Sequence, residues 1–372
     1  MSRIEEYFKK KTSELSFIEL KEGSSIDVNG YRIYSETPLP ILTESLIEEV
    51  KSGNPEEEVR FSNMIDGMIY TIGVDPEFVH AEEYKKALYS YDSKIEEYIK
   101  YLGVENLKKS RIDDAIICFR ANIELNPEDD DARYSYAVAM EERAKRAYEL
   151  GDKKLGSEFL KAALFQMQKI ASKNRPITYY KLGYYYKHFS EFRKSKIYWE
   201  KFLHFGREKE LLDEVRDQLE STEDDVIYEE GYSKILEGRA VEGIETLLPL
   251  VQRHEGWWNL SFMLGLGYRQ IGEVDEAIEY FKEVLELNPG QIDSLNELGL
   301  CYASKYEFEK AIEMFSEAIK IEPRNHEVIC NRGMAKFQIG QLEEAKADIE
   351  RAYRIDPEDE IVIACKKAVE LS

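Results

Sequence analysis

Gly231, Gly265, Gly299 and Gly333 stand 34 residues apart, and Pro289, Pro323 and Pro357 keep the same step. This period constrains the fold more than any other feature of the chain, because one unit of that size cannot bury a core alone whereas stacked units can. A solenoid is therefore expected, and its function is expected to be a shape that binds something. The 372 residues need not divide into ordinary domains, since such a fold grows by addition. With 43% hydrophobic and 12% aromatic residues and only 10 Pro, the chain carries enough core material to be folded throughout.

The formal charge of -23 argues against nucleic acid, whose phosphates are held by Lys and Arg. Cys118, Cys301, Cys330 and Cys365 show no Cys-x-x-Cys spacing and read as buried thiols. Met1 to Leu20 begins with a charged stretch through Lys9, Lys10 and Lys11 and lacks a signal peptide's apolar core. No apolar run is long enough to cross a bilayer, so the expected compartment is the cytoplasm. Catalysis needs a constellation, and none is legible: His80, His188, His204, His254 and His326 are dispersed, with no metal-ligand spacing. Gly265, Leu266, Gly267 opens like a dinucleotide fingerprint but lies in a helical pattern and lacks the third glycine. Neither an enzyme nor a metal or cofactor protein is expected.

Within 258–291, Leu264, Gly265 and Tyr268 lie on one segment, Gly272 breaks it, Ala277, Phe281 and Val284 follow, and Pro289 ends it. Apolar residues recur at three and four, which predicts two amphipathic helices. Gly265 and Ala277 are expected where those helices approach most closely. The next unit, 292–325, repeats the pattern with Leu298, Gly299, Tyr302, Ala311, Phe315, Ala318 and Pro323. This arrangement resembles the tetratricopeptide repeat, with its Leu-Gly-x2-Tyr, Ala-x3-Phe and Pro positions. Unit 326–359 keeps Gly333, Ala345, Ala352 and Pro357 but puts Arg332, Lys336 and Ile349 at the usual Leu, Tyr and Phe; unit 224–257 keeps Gly231 and Leu247, with Gly243 and Glu255 at the usual Ala and Pro.

The resemblance implies an all-α solenoid, a right-handed superhelix, with four tandem repeats over 224–359 and a closing helix over 360–372. Upstream, 60–207 reads as a repeat-like block with insertions. There Leu102, Gly103, Ala115, Phe119 and Pro127 make one unit, Leu182, Gly183 and Tyr186 begin another, and Gly67 and Tyr70 mark a degenerate one over 60–93. A long charged helix over 131–150 is expected between them, with both helices of that unit about one and a half turns longer than usual. Leu211, Leu212, Val215 and Leu219 predict an extra linking helix over 208–223. Residues 1–59 do not fit the repeat: Ile26, Val28, Tyr31 and Ile33 alternate around Asn29-Gly30, which predicts a β-hairpin, with 17–20 as a candidate third strand. This region reads as an N-terminal cap that leans on the first helices. The apolar run Ile361 to Cys365 suggests weak self-association.

In the family the first helix of every unit lines the concave groove. Carried onto this sequence, the groove positions are Tyr228, Glu229 and Tyr232; Asn259, Phe262, Met263, Leu266 and Arg269; Asp293, Asn296, Glu297 and Leu300; and Glu327, Asn331, Met334 and Phe337. Leu266, Leu300 and Met334 are expected to serve contact between neighbouring first helices. The N-terminal block supplies Lys100, Tyr101, Lys108, Tyr134, Tyr180, Lys181, Tyr184, Lys187 and His188. Its groove reads as aromatic and basic, the C-terminal one as acidic. The family's clamp for C-terminal carboxylates is absent, because Tyr228, Tyr232, Met263, Asp293 and Glu297 stand at its positions. The expectation is a non-catalytic adaptor for a protein or peptide segment, the alternatives being a peptide-sensing regulator or a subunit of a larger complex.

Overall fold

The computed structural model describes residues 3–51 and 60–370. Residues 52–59, at the end of the expected cap region, and the last two residues of the stretch expected to form the closing helix lie outside the described residues. The chain forms two compact units, one of residues 1–190 with 197–215, the other of 191–196 with 216–372.

The first unit starts with α1 (Arg3–Lys9), a short 3-10 turn, β1 (Leu15–Ile18), β2 (Ser25–Val28), β3 (Tyr31–Tyr34), β4 (Leu39–Leu42) and α2 (Thr43–Lys51). β2 and β3 form the expected hairpin. Its turn puts Asn29 at φ 48 and Gly30 at φ 95, the left-handed pair that a two-residue hairpin loop requires. The Asn29 amide then donates to the Ser90 and Tyr91 carbonyls at 3.0 and 3.1 Å, which fastens the hairpin to the end of a later helix. The expected third strand is corrected: β1 pairs antiparallel with β4, Leu15 opposite Leu42, in a sheet separate from the hairpin. Leu39 and Ile41 of β4 are fully buried, so this strand was hidden in a Pro-flanked apolar run.

Helices follow in pairs: α3 (Phe61–Val74), α4 (Ala81–Tyr91), α5 (Ile95–Lys108), α6 (Ile112–Leu125), α7 (Asp130–Glu149), α8 (Lys153–Lys169), α9 (Ile177–His188), α10 (Phe192–Phe205) and α11 (Lys209–Ser221). α7 runs for 20 residues and α8 for 17, against 14 each for α5 and α6. The first helix of that unit is therefore extended by more than the second. Asp129 caps α7 by accepting from the Asp131 and Ala132 amides. The second unit continues with α12 (Glu223–Leu236), α13 (Ala240–Val251), α14 (Trp258–Ile271), α15 (Val274–Leu287), α16 (Ile292–Ser304), α17 (Phe308–Ile321), α18 (His326–Gln338), α19 (Leu342–Ile355) and α20 (Glu360–Glu370). The fold is an all-α helical solenoid with only small strands at its N-terminal end.

One contact closes the helix pairs. A Cβ on Gly103, Gly183, Gly231, Gly265, Gly299 or Gly333 would come within 2.5, 2.2, 2.5, 2.7, 2.5 or 2.8 Å of Phe119, Trp199, Leu247, Phe281, Phe315 or Ile349. Each partner stands sixteen residues after its glycine, on the second helix of the pair. The missing side chain is the space into which the large one packs. Seven residues after each of these glycines the chain reverses through a left-handed residue: Ser110, Ser190, Gly238, Gly272, Tyr306 and Gly340. Gly67 departs from the set. A Cβ there would meet the Pro40 carbonyl oxygen at 2.0 Å, so α3 uses its glycine to dock on β4 and not to seal against α4.

The departures of unit 326–359 from the repeat explain one another. Asp348, 6% exposed, accepts from Arg332 Nε and Nη2 at 2.8 and 2.6 Å and lies 2.9 Å from Lys336 Nζ. Where units 258–291 and 292–325 place Leu and Tyr, this one sets two cations on one buried carboxylate. Burial opposes ionisation of Asp348, but the Arg332 and Lys336 bonds outweigh it and hold the carboxyl below its usual range.

Candidate functional site

First helices lie beside first helices in the second unit, and polar contacts cross from each to the next. Tyr228 of α12 reaches the Asn259 carbonyl of α14 at 3.4 Å. Arg269 Nε of α14 stands 2.5 Å from Glu297 Oε2 of α16. Asn331 of α18 donates to Asn296 Oδ1 at 3.0 Å, and Asn296 donates to Glu327 at 3.3 Å. Tyr228, Asn259, Arg269, Asn296, Glu297 and Asn331 are thereby brought along one face.

The start of that face is aromatic. Tyr228 lies 4.8 Å from Trp257 and stacks with Tyr232 at 6.4 Å between ring centroids. Burial, with a smaller contribution from Tyr232, pushes the Tyr228 phenol up to about 12, so it stays a neutral donor. Trp257 was absent from the sequence candidates because it precedes α14. Trp257 also packs edge-on against His254, whose ring is fixed by Asp224 at 2.7 Å. Tyr232 is 38% exposed and therefore available to a ligand. Phe262 is half-buried among the packed side chains around Leu264 and Phe281, so core contact accounts for much of its surface. Leu266 and Leu300 are half-buried against the packed core in the same way.

Beside Tyr228 on α12, Glu229 accepts from the Arg193 backbone N–H at 2.9 Å. Further along, the face turns acidic: Asp293 is exposed and takes a 3.1 Å bond from Gln291. Glu297 has only 16% of its side chain exposed. Its burial pushes the carboxyl above the usual range; Arg269 opposes this, and Glu327 and Asp293 add to it. Glu297 Oε2 is closed to solvent, and Arg269 Nε pairs with it.

In the first unit the corresponding side chains serve each other. Lys181 pairs with Glu141 at 2.9 Å, and Tyr185 donates to the same carboxylate at 2.7 Å. Tyr180 donates to Glu214 of α11 at 2.9 Å, and Tyr184 donates to the same oxygen. Lys100 pairs with Asp129 at 2.8 Å and Lys108 with Glu105 at 2.7 Å. Lys187 is half-buried and His188 bonds Tyr148. The basic groove expected here is corrected to a largely neutralised one, because Glu141 and Glu214 sit against its cations and phenols.

The thiols are corrected in one respect: Cys118, Cys301 and Cys330 are buried, but Cys365 is half-buried. No helix of the described residues is long and apolar enough to cross a membrane, and no group of three or more His, Cys, Asp or Glu among them could hold a metal.

Models of the tetratricopeptide repeat match residues 258–291, 292–325 and 326–359. Residues 258–359 are thus three tandem tetratricopeptide repeats. Comparison with curated proteins gives no match. Among solved structures, the chain is similar to MamA at 21% identity, over 50% of this chain and 94% of that one, with a TM-score of 0.38. It is similar to YrrB, described as a TPR protein with an unusual peptide-binding site, at 18% identity over 67% and 97%, with a TM-score of 0.29. The first TPR of Spaghetti (RPAP3) bound to an HSP90 peptide is 22% identical over 31% and 90%, with a TM-score of 0.30. At these scores none of the three carries an argument about this chain's ligand.

Proposed function

We propose that the chain is a non-catalytic adaptor that holds a peptide or protein segment on the first-helix face of the second unit. The observation that carries this reading is the succession of contacts from Tyr228 to Asn331, which gathers aromatic, amide and carboxylate groups from α12, α14, α16 and α18 on one side, with Tyr232, Asn259, Asp293 and Glu327 exposed among them. Aromatic side chains offer burial at low entropic cost, and amides can bond an extended backbone. Affinity would then rest on a few anchors, with Tyr232 foremost because it is the most exposed of the aromatic set.

The reading is tested by placing a photo-crosslinking amino acid at Tyr232 or at Val241, an exposed position on α13, and irradiating the full chain in source lysate. A discrete polypeptide adduct at Tyr232 and none at Val241 is the expected result. Adducts at Val241 alone, or the same adducts at both, would move the site off this face.

A further inference from the structure

We propose that Cys330 and Cys365 form a site of oxidative modification: a low-molecular-weight disulfide such as oxidised glutathione converts this dithiol to an intramolecular disulfide that fastens α20 to α18. The pairing follows from the repeat register. Gln291 caps α16 by accepting from the Ser294 amide, Asn325 caps α18 by accepting from Val328 at 3.2 Å, and Asp359 starts α20 in the same way, accepting from Val362 at 2.8 Å. Each step is 34 residues, so α20 stands to α18 as α18 stands to α16. The residue five after one cap and the residue six after the next meet between the neighbouring helices. Between α16 and α18 these are Asn296 and Asn331, hydrogen-bonded at 3.0 Å. Between α18 and α20 they are Cys330 and Cys365, whose thiols are hydrogen-bonded to each other. His326 Nε2, 3.5 Å from Asp359 Oδ2, sets the starts of α18 and α20 side by side.

The two thiols are unequal. Cys330 is buried in the core around Phe315 and Ile329, while Cys365 is half-buried at its edge and open to a small reagent. The hydrogen bond from Cys330 holds the Cys365 thiol below its usual range, against burial and the nearby Asp359; the same bond, with burial, pushes Cys330 up. Access and thiolate character together make Cys365 the attacking sulfur. Its thiolate attacks one sulfur of the small disulfide, and the expelled thiolate takes a proton from water. Cys330 then gives its proton to water and attacks Cys365 Sγ of the mixed disulfide, expelling the second small thiolate, which is protonated in turn. Two protein thiols are thereby oxidised and one small disulfide is reduced to two thiols. The consequence falls on α20, which is held by the buried Val362 and Val369 and by the pairing of Lys366 with Glu350 at 2.9 Å. Cys118 and Cys301 are buried and stand on other helices, so they serve as internal controls.

The test equilibrates the full chain in glutathione buffers from reducing to oxidising, quenches with acid, traps the remaining thiols with a maleimide in denaturant, and reads intact mass and peptide maps. The expected product has lost two hydrogens, yields a linked Cys330–Cys365 peptide and carries the trap on Cys118 and Cys301. In Cys330→Ser the reaction should stop at a mixed disulfide on Cys365, and in Cys365→Ser the Cys330 thiol should stay reduced. Amide hydrogen exchange across α20 should slow about tenfold in the oxidised natural chain and stay as it was in Cys365→Ser treated alike. A lasting mixed disulfide on Cys365 of the natural chain, a link between two chains, or four trapped thiols in the most oxidising buffer would overturn the site. A linked chain whose α20 exchanges as fast as before would overturn the fastening.

Discussion

The two units share a helix-pair design yet differ in what their polar side chains do. In the first, Glu141 answers Lys181 and Tyr185, Asp129 answers Lys100, and Glu214 takes both Tyr180 and Tyr184. In the second, Glu297 is met by Arg269, while burial and the neighbouring Glu327 and Asp293 oppose its ionisation. One backbone pattern can therefore carry a largely paired surface or one with crowded carboxylates, and the choice is made by a handful of partners thirty to forty-odd residues apart. The units differ at their glycines too: α3 of the first docks on a strand through Gly67, whereas the second seals every tandem pair helix against helix.

The sharpest way to break this comparison is Gly67→Ala beside Gly265→Ala. The added methyl at 67 meets a backbone carbonyl, Pro40 O, which cannot rotate away, while at 265 it meets the Phe281 ring. The overpacking cost at 67 is expected to be about 3 kcal/mol or more, and at 265 smaller, with alanine's helix preference offsetting up to ~1 kcal/mol in each. Urea unfolding followed by circular dichroism checks this. Equal costs at the two sites would show that Gly67 is an ordinary helix-pair glycine after all.

Next in size is Asp348→Asn, which strips Arg332 and Lys336 of their shared carboxylate and is expected to cost about 3 kcal/mol. Because the folded carboxyl is held below its usual range, its contribution is present above the ordinary carboxylate pKa and is lost as pH falls through the lower folded value. Glu297 has the opposite sign: its folded carboxyl is raised, so its stabilising contribution exists at low pH and disappears as pH rises through that value. Urea midpoints measured from neutral to acid pH should therefore show Asp348→Asn losing its deficit toward acid, while Glu297→Gln is more stable than the natural chain at neutral pH. A Glu297→Gln variant less stable at neutral pH would place that carboxylate among the satisfied ones.

The smallest expected effect concerns the turns. Five of the six sealed pairs reverse through Ser or Gly, but one does so through Tyr306 at φ 63, with 82% of that residue exposed. A bulky side chain is strained there, so Tyr306→Gly is expected to gain about 0.5 to 1 kcal/mol, the relieved strain being partly offset by glycine's freedom in the unfolded chain. A midpoint that drops in the variant would mean that the contact of Tyr306 with Phe308, ring centroids 6.1 Å apart, outweighs the strain.

Much of the fold was legible because it repeats. The step from Gly231 to Gly333 located the tandem pairs, Gly272 marked a turn that does adopt φ 86, and Asn29-Gly30 marked the hairpin. β4 was not legible, since Leu39-Pro40-Ile41-Leu42 has neither alternation nor a turn signal to announce a strand. Of the candidate site, the face could be listed from the period. Trp257 could not, lying just before its helix, and neither could the pairing of Lys181 with Glu141, whose separation of 40 residues reflects the lengthened α7 and α8.

The sequence by itself determined the period, the helix pairs and the small residues that let them close, because these follow from local preferences and from a spacing that recurs. Only the tertiary structure decided which charges are satisfied. An ion pair across stacked helices depends on distances of a few ångströms between residues far apart in the chain, and burial decides how strongly a carboxylate such as Glu297 resists ionisation beside its neighbours.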